Sequence, residues 1–202
     1  MLSLRTLVSL VFLAVSATGN AAVIFTATLD GAQEVPANAS TATGFATFVL
    51  NDAMEALTYD TTISGLDFTG SQTPNTADNL VAAHIHAPAS PGVNAGVVFG
   101  LFGTPFNDSN PNDVVVIPLA SGVGGTISGK WDLPEGNNTT LAAQLPNILA
   151  GNSYINFHTV QFPGGEIRGQ ITAVPEPSTL ALLGIAALGF IGYRWRRRLP
   201  TR

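Results

Sequence analysis

The sequence predicts an all-β fold, an antiparallel sandwich or Greek-key barrel with one short helix, and three observations support this prediction. Segments of alternating apolar and polar residues recur along the middle of the chain, separated by turn residues. The 202 residues include 21 Gly and 13 Pro, as expected of a fold with many turns. Almost no segment has helical periodicity, which argues against the alternating strands and helices of a parallel α/β fold.

The expected strands follow one another along the chain. The first covers Val23–Leu29 and ends at Asp30-Gly31, where the alternation stops at a turn. The others are expected over Phe45–Leu50, Ala56–Ile63, Leu80–Ala87, Gly96–Phe102, Val114–Leu119, Gly125–Trp131, Tyr154–Thr159 and Glu166–Thr172. A single helix is expected over Thr139–Leu149 because Gly151 follows and stops it. Carboxylates of the loops, such as Asp108, are expected at the solvated rim.

Two targeting segments flank the β domain. Arg5 precedes a short apolar run, Leu7–Val15, and small residues follow up to Ala22, as in a removable secretory signal peptide. The nine residues of this run are too few to span a membrane. The expected organisation is a signal peptide over residues 1–22, a β domain over 23–173 and a sorting and transmembrane segment over 174–202.

The C-terminal segment combines a proline-rich motif, an apolar stretch and a basic cluster. These are Pro175-Glu176-Pro177, the fourteen residues Leu180–Tyr193, and the arginines Arg194, Arg196, Arg197 and Arg198. A helix of that length measures about 21 Å, against a hydrocarbon core of about 30 Å. It can span only a thinned bilayer, with the arginines on the cytoplasmic side and the β domain outside. The short length favours a transient anchor over the alternative, a permanent single-pass anchor.

In order and position, the features of residues 174–198 resemble the PEP-CTERM sorting tail. Proteins with this tail occur in Gram-negative bacteria that make extracellular polysaccharide. The resemblance implies that an exosortase-type membrane enzyme cleaves the tail near Pro-Glu-Pro. We therefore expect export through the inner membrane, transient membrane contact through the C-terminal helix, and display on the cell surface or release from it.

Charge and composition restrict the partners and the chemistry of the domain. Residues 23–173 contain twelve carboxylates but only two cations, Lys130 and Arg168. So acidic a domain repels nucleic acid and anionic lipid, whereas divalent metal ions stay possible ligands. The chain has no cysteine, and Gly-x-Ser-x-Gly and the nucleotide-binding glycine patterns are absent from its sequence. We therefore expect no enzymatic activity.

The three histidines of the chain form the candidate site. Residues two apart in a strand share a face, so His84 and His86 point together while Ile85 points into the core. The same alternation directs His158 away from the core. Pairing core residues across the last hairpin gives these partners: Phe157 with Ile167, Asn156 with Arg168, and His158 with Glu166. We expect five side chains to converge on one side of the sheet: His84, His86, His158, Glu166 and Arg168.

Two interpretations of this cluster stay open. Three imidazoles and the Glu166 carboxylate form a possible zinc or copper site. Alternatively, the cluster is structural, with Glu166 paired to Arg168 or to a histidine and no cofactor bound. The cation of Arg168 favours the structural interpretation because it opposes metal binding. Histidines that converge on a tetrahedral space, with Arg168 turned away, would favour the metal.

Four blocks in order resemble the CHRD domain, which is repeated in chordin and occurs singly in many bacterial exported proteins. The blocks are Leu29–Pro36, Ala83–His86, Tyr154–Thr159 and Pro163–Ile171. The resemblance implies an immunoglobulin-like β fold, an extracellular setting and no established enzyme activity. The leading interpretation is a non-catalytic surface or matrix protein in contact with extracellular polysaccharide or matrix proteins. The alternative is a metal-binding protein, or a redox enzyme resembling copper–zinc superoxide dismutase, that uses the histidine cluster.

Overall fold

The computed structural model describes residues 22–109, 111–175 and 184–191. The strands in this part of the chain are β1 (Val23–Asp30), β2 (Thr43–Leu50), β3 (Ala56–Ser64), β4 (Leu80–His86), β5 (Val97–Phe102), β6 (Val115–Pro118), β7 (Gly124–Asp132), β8 (Tyr154–Thr159), β9 (Ile167–Gln170) and β10 (Thr172–Ala173). Helix α1 (Leu141–Leu149) lies between β7 and β8, and Thr140 caps it by accepting a hydrogen bond from the Ala143 amide at 3.2 Å. The all-β, antiparallel prediction is confirmed.

The strands form one antiparallel sheet that curls into a half-barrel. Their order is β5-β4-β8-β9-β1-β2-β3-β7-β6, and the short β10 pairs with β1. Phe99 of β5 stacks on Trp131 of β7 with ring centroids 4.8 Å apart, so the two ends of the sheet approach each other. The expected sandwich of two separate sheets is not what the described strands form. The pairing of Asp30 in β1 with Arg168 in β9 joins the two halves into a single sheet.

The core fills the concave side of this sheet. Phe25 and Leu29 of β1 and Phe48 of β2 are fully buried, whereas Ile24, which points the other way, is 47 % exposed. This alternation is what a strand with one face on the core requires. Burying each such side chain contributes about 1.5–3 kcal/mol, so packing alone holds a domain that has no disulfide.

Strands β4 and β8 are buried on both faces over most of their length. Their core faces include Ile85 and Phe157, and their outer faces lie under loops that contain residues 91–95, 104 and 163–165. The β8–β9 hairpin has the predicted register, with Asn156 opposite Arg168 and Phe157 opposite Ile167. The polar residues on the outer face are therefore enclosed.

Asp108 is not a rim carboxylate as expected. It is fully buried, and it accepts hydrogen bonds from the Tyr59 hydroxyl and the Asp113 amide, both at 3.1 Å. Desolvation raises the pKa of its carboxyl group. The loop can fold inward because Gly129 has no side chain: a Cβ there would lie 3.0 Å from Asp108 Oδ2.

Most of the predicted targeting segments lie outside the described residues, including residues 1–21, Glu176, Pro177 and the arginine cluster. Pro175 is described and exposed. Residues 184–191 are helical, and their apolar side chains are exposed, with Leu188 at 71 %. No helix in the described part of the chain has the length and apolar character needed to cross a membrane.

Candidate metal centre

The three histidines meet on the outer face of the sheet, where β4 and β8 lie side by side. The register places His84 opposite Asn156, and Ala82 opposite His158, so alternate residues of both strands share this face. The ring centroids of His84 and His158 are 4.8 Å apart, and those of His84 and His86 are 5.8 Å apart. The three histidines are only 5 %, 7 % and 8 % exposed in chain order. The structure thus brings all three into one buried cluster.

Each imidazole holds one ring nitrogen against a backbone carbonyl group. The pairs are His84 Nε2 with the Thr104 oxygen at 3.1 Å, His86 Nδ1 with the Ala95 oxygen at 2.9 Å, and His158 Nδ1 with the Pro163 oxygen at 3.0 Å. A carbonyl oxygen only accepts hydrogen bonds, so each of these nitrogens must donate the ring's proton. In a neutral imidazole the second nitrogen then has no proton and presents a lone pair.

The three proton-free nitrogens are His84 Nδ1, His86 Nε2 and His158 Nε2. His84 Nδ1 lies 3.1 Å from His158 Nε2, and in this tautomer the contact sets two lone pairs against each other. His86 Nε2 is buried and has no hydrogen-bond partner among the residues that the structure describes. One nitrogen of each ring lies within 4.8 Å of the others. Buried acceptors without donors are costly, so this arrangement favours a bound cation.

Burial keeps the three rings neutral. Desolvation, with smaller contributions from charge repulsion by His158 and His86, lowers the pKa of His84 to about 4. Desolvation also lowers the pKa of His86 to about 4, and it lowers that of His158. At neutral pH the cluster therefore consists of unprotonated imidazoles, the form in which histidine binds metal ions.

Arg168, the predicted charge partner, is directed at other groups. It is 1 % exposed, and its guanidinium lies 3.4 Å from the centroid of the Tyr154 ring. Nη1 donates to Asn94 Oδ1 at 3.2 Å, and Nη2 donates to the Val93 carbonyl at 2.8 Å. The Tyr154 ring stacks on His86 with centroids 4.7 Å apart. Arg168 therefore supports the cluster through Tyr154, and its hydrogen bonds go to the loop that covers the site.

Glu166 is the predicted site residue that the structure leaves out of the cluster. Its carboxylate accepts hydrogen bonds from Ser40 Oγ at 2.6 Å and from the Thr159 hydroxyl. The expected pairing with Arg168 or a histidine is wrong. The register of the hairpin ends at Phe157 and Ile167, so the predicted position of Glu166 opposite His158 lies outside β9 and the strand alternation does not fix the direction of its side chain.

Two further residues surround the cluster, and the sequence patterns do not single them out. Asn156 is 2 % exposed, and its Oδ1 lies 3.0 Å from His158 Nε2. Glu34, 7 % exposed, follows the short turn Gly31–Gln33 after β1. The position of each residue in the sequence could have indicated it: Asn156 shares a strand face with His158, and Glu34 lies in the first CHRD-like block.

The Glu34 carboxyl group packs against Gly165 and the Asn156 amide. Gly165 has φ of 129°, and a Cβ there would collide with Glu34 Oε1 and lie 2.8 Å from Asn156 Nδ2, so glycine is required. Burial raises the pKa of Glu34 to about 7, although the Arg168 charge and the Asn156 amide both lower it. The Asn156 amide does not reach ordinary hydrogen-bond geometry with Glu34, and in the described part of the chain Glu34 Oε1 is buried without a partner.

The histidine donors suit a transition-metal ion. Zinc binds imidazole nitrogen at about 2.0–2.1 Å, which sets two ligands of a tetrahedral site roughly 3.3 Å apart. The 3.1 Å between His84 Nδ1 and His158 Nε2 is close to this spacing, whereas the 4.8 Å span of the cluster requires one ring to move inward. Ligating histidines usually donate their other N–H to an oxygen that fixes the ring, as the three carbonyls do here.

Comparison with known protein families agrees with both resemblances seen in the sequence. Residues 25–171 match the CHRD domain, and residues 173–198 match the PEP-CTERM protein-sorting motif. The sorting motif implies export, sorting to the cell surface and processing by an exosortase. No curated protein and no solved structure matches the chain. Because the first match covers most of its length, the chain belongs to the CHRD domain family.

Proposed function

We propose that this chain is an exported, non-catalytic surface or matrix protein whose CHRD domain binds a zinc or copper ion through His84, His86 and His158. The observation that supports metal binding is a buried cluster of three imidazoles, in which the proton-free nitrogens of His84 and His158 face each other and that of His86 has no partner among the described residues. Imidazole is a preferred ligand of zinc and copper, whereas calcium and magnesium prefer oxygen.

A purely structural role explains the same contacts less well. Polar groups in a structural cluster are normally hydrogen-bonded to one another. Here the facing nitrogens of His84 and His158 are both acceptors, and His86 Nε2 has no partner. A shared proton would relieve the repulsion, but pKa values near 4 for His84 and His86 leave the cluster unprotonated at neutral pH. A metal ion satisfies all three nitrogens.

Burial of the ligands favours binding over catalysis. The three rings are at most 8 % exposed, and the loops that provide the carbonyls of Thr104, Ala95 and Pro163 cover them. A catalytic metal needs an open coordination position that a substrate can reach, whereas structural sites are closed. We therefore favour a structural ion that fixes these loops on β4 and β8 over a redox enzyme.

Export and sorting determine where the domain would act. We place the protein in the extracellular layer, with polysaccharide or other matrix proteins as its partners, because the sorting tail is typical of producers of such polymers. The excess of carboxylates over residues 23–173 argues against nucleic acid. Exposed apolar side chains over residues 184–191, such as Ile185 at 67 %, support lipid contact until the exosortase removes the tail.

The metal proposal predicts about one equivalent of zinc or copper in the full chain purified without chelator, measured by mass spectrometry of the elements. After removal of the metal, added Zn²⁺ should restore one equivalent and raise the melting temperature, because an ion that binds only the folded state stabilises it. His84→Ala and His86→Ala should each weaken binding by more than about 100-fold, since each removes a ligand rather than an outer partner.

Thr61→Val is a matched control for these variants. Thr61 is fully buried, and its hydroxyl bonds only the Ile127 backbone between β3 and β7. This variant should keep its metal even if it loses stability. A wild-type chain that neither contains nor rebinds zinc or copper would contradict the proposal. Equal metal loss in Thr61→Val would show that the histidine variants report general unfolding.

Processing of the tail predicts two new termini in the native protein. Mass spectrometry of molecules from the cell surface and medium should find an N-terminus near Ala22 and a C-terminus between Pro175 and Ser178. Alanine in place of Glu176, the acidic residue of the sorting motif, should increase the share of molecules that keep the tail. Peptides ending at Arg202 from most wild-type surface molecules would show that the tail is a permanent anchor.

A further inference from the structure

We propose that Asn156 Oδ1 is the fourth ligand of this metal centre and that the Glu34 carboxylate holds the Asn156 amide in the ligating orientation. This inference rests on the proposed metal binding by the three histidines. It adds an oxygen donor and a positioning residue, neither of which belongs to the histidine set predicted from the sequence.

The position of Asn156 places its amide oxygen among the imidazole nitrogens. Asn156 lies between His84 on β4 and Arg168 on β9 in the paired strands. Its Oδ1 is 3.0 Å from His158 Nε2. Because His158 Nδ1 donates the ring's proton to a carbonyl, Nε2 has none to give. The contact between Oδ1 and Nε2 therefore joins two acceptors and needs a cation to be favourable.

The alternative is an amide rotated by half a turn, so that Nδ2 donates to His158. The surroundings of Nδ2 argue against it. Nδ2 and Glu34 Oε1 pack together against the Cα of Gly165, where no side chain separates them. Rotation would replace the Nδ2 donor with an oxygen and set it against a carboxylate oxygen that already lacks a partner. Glu34 thus favours the orientation that directs Oδ1 at the histidines.

The Glu34 carboxylate is itself held in place. Its backbone segment is fixed by Asn38, whose Nδ2 donates to the Glu166 carbonyl at 3.0 Å and to the Gly165 carbonyl at 3.3 Å. Burial raises the pKa of Glu34 to about 7, and a cation bound in the histidine cluster would, like the charge of Arg168, favour its ionised form. Glu34 also lines a surface cavity of about 200 Å³ with Arg168. Glu34 therefore borders both this cavity and the Asn156 amide.

The resulting donor set is consistent with a closed site. Three nitrogens and one amide oxygen give the four ligands of a structural tetrahedral centre. All four donors are neutral, so a bound divalent ion would leave two buried positive charges. The carboxylate of Glu34, one side chain removed from the ion, partly compensates this charge. Loss of the Glu34 carboxylate should therefore weaken metal binding in two ways. The Asn156 amide would be less well oriented, and the charge of the ion would be less well compensated.

The test is a Zn²⁺ titration of the full chain after treatment with chelator. Glu34→Gln should weaken Zn²⁺ affinity by about 10-fold, within the range for outer partners of a metal site, and Asn156→Ala, which removes a ligand, by about 100-fold or more. Asn156→Asp keeps an oxygen at the same place and should bind Zn²⁺ at least as tightly as the wild type. With Co²⁺ as a spectroscopic probe, Asn156→Ala should change the visible absorption spectrum, which a purely structural residue would leave unchanged.

Glu135→Gln is the matched control for Glu34→Gln. Glu135 is also a buried carboxylate, but it accepts hydrogen bonds from the amides of Ser109 and Asp132. Its variant should bind Zn²⁺ like the wild type. Unchanged affinity and an unchanged Co²⁺ spectrum in Asn156→Ala would overturn this inference. A wild-type chain that binds no Zn²⁺ would instead overturn the proposed function.

If Asn156→Ala does not fold, the fourth ligand can still be tested directly on the wild type. In a crystal structure of the zinc-loaded chain, Asn156 Oδ1 should lie about 2.0–2.2 Å from the ion. Zinc bound by the three histidines with Oδ1 turned away would reject the fourth ligand while supporting the histidine site.

Discussion

Arg168→Ala is expected to lower the free energy of unfolding of the metal-free protein by about 3–5 kcal/mol, the usual cost of removing one partner from a buried charged network. The side chain is among the largest fully buried ones. Its removal leaves the Val93 carbonyl and Asn94 Oδ1 without their donor and Glu34 without its neighbouring cation. It also uncovers the face of the Tyr154 ring.

Urea denaturation of the full chain in the presence of chelator measures this loss. Lys130→Ala is the matched control because Lys130 is the other cation within residues 23–173. Its side chain is 30 % exposed and bridges Asp113 and Asp132 at 3.0 Å. Solvent-exposed pairs contribute about 0–1 kcal/mol, so its loss should be small.

A third variant separates the charge of Arg168 from its shape. Arg168→Lys keeps the charge but lacks the planar fork that lies on Tyr154 and donates to two oxygens, so its loss should be intermediate. If Arg168→Ala costs no more than Lys130→Ala, the buried contacts of Arg168 contribute little to stability.

Local strand patterns were sufficient to predict half of the candidate site. The two-residue period of a strand places His84 and His86 on one face, and pairing of core residues sets the register of the β8–β9 hairpin. Both rules act between residues close in sequence or directly paired. They orient His84 with His86 and direct His158 away from the core, but the pairing of β4 with β8 that brings the three imidazoles together is long-range and follows from neither rule.

The rest of the site depends on contacts that such rules do not describe. Glu166 bonds Ser40, which is 126 residues away in the sequence, so its partner follows from how a loop lies on the sheet. Glu34 reaches Asn156 only because Gly165 has no side chain. The pairing of β1 with β9, which makes one curled sheet of the domain, is equally long-range.

Acidification from pH 6.5 to 4.5 is expected to destabilise the metal-free protein by roughly 2 kcal/mol. The pKa values of His84 and His86 are about 4 in the folded state, below the ordinary 6.5. Between these values the unfolded chain binds a proton at each ring and the folded chain does not. The free energy of unfolding therefore decreases as the pH decreases, by about 1.4 kcal/mol per pH unit for each ring.

Glu34 acts with the opposite sign. Its pKa is about 7 in the folded state, above the ordinary 4.5, so between these values the folded chain binds a proton that the unfolded chain lacks. This uptake stabilises the fold as the pH falls and offsets the loss from one of the two histidines. Glu34→Gln removes the offset, so its loss of stability between pH 6.5 and 4.5 should be larger than that of the wild type, by about 2 kcal/mol.

Urea denaturation in chelator at pH 6.5, 5.5 and 4.5 distinguishes these slopes. Glu55→Gln changes an exposed carboxylate and should reproduce the wild-type slope. Parallel curves for Glu34→Gln and the wild type would mean that Glu34 takes up no proton on folding and stays ionised beside Arg168. A wild-type stability that rises on acidification would mean that the histidines are charged when buried, which would also remove the lone pairs that the metal site requires.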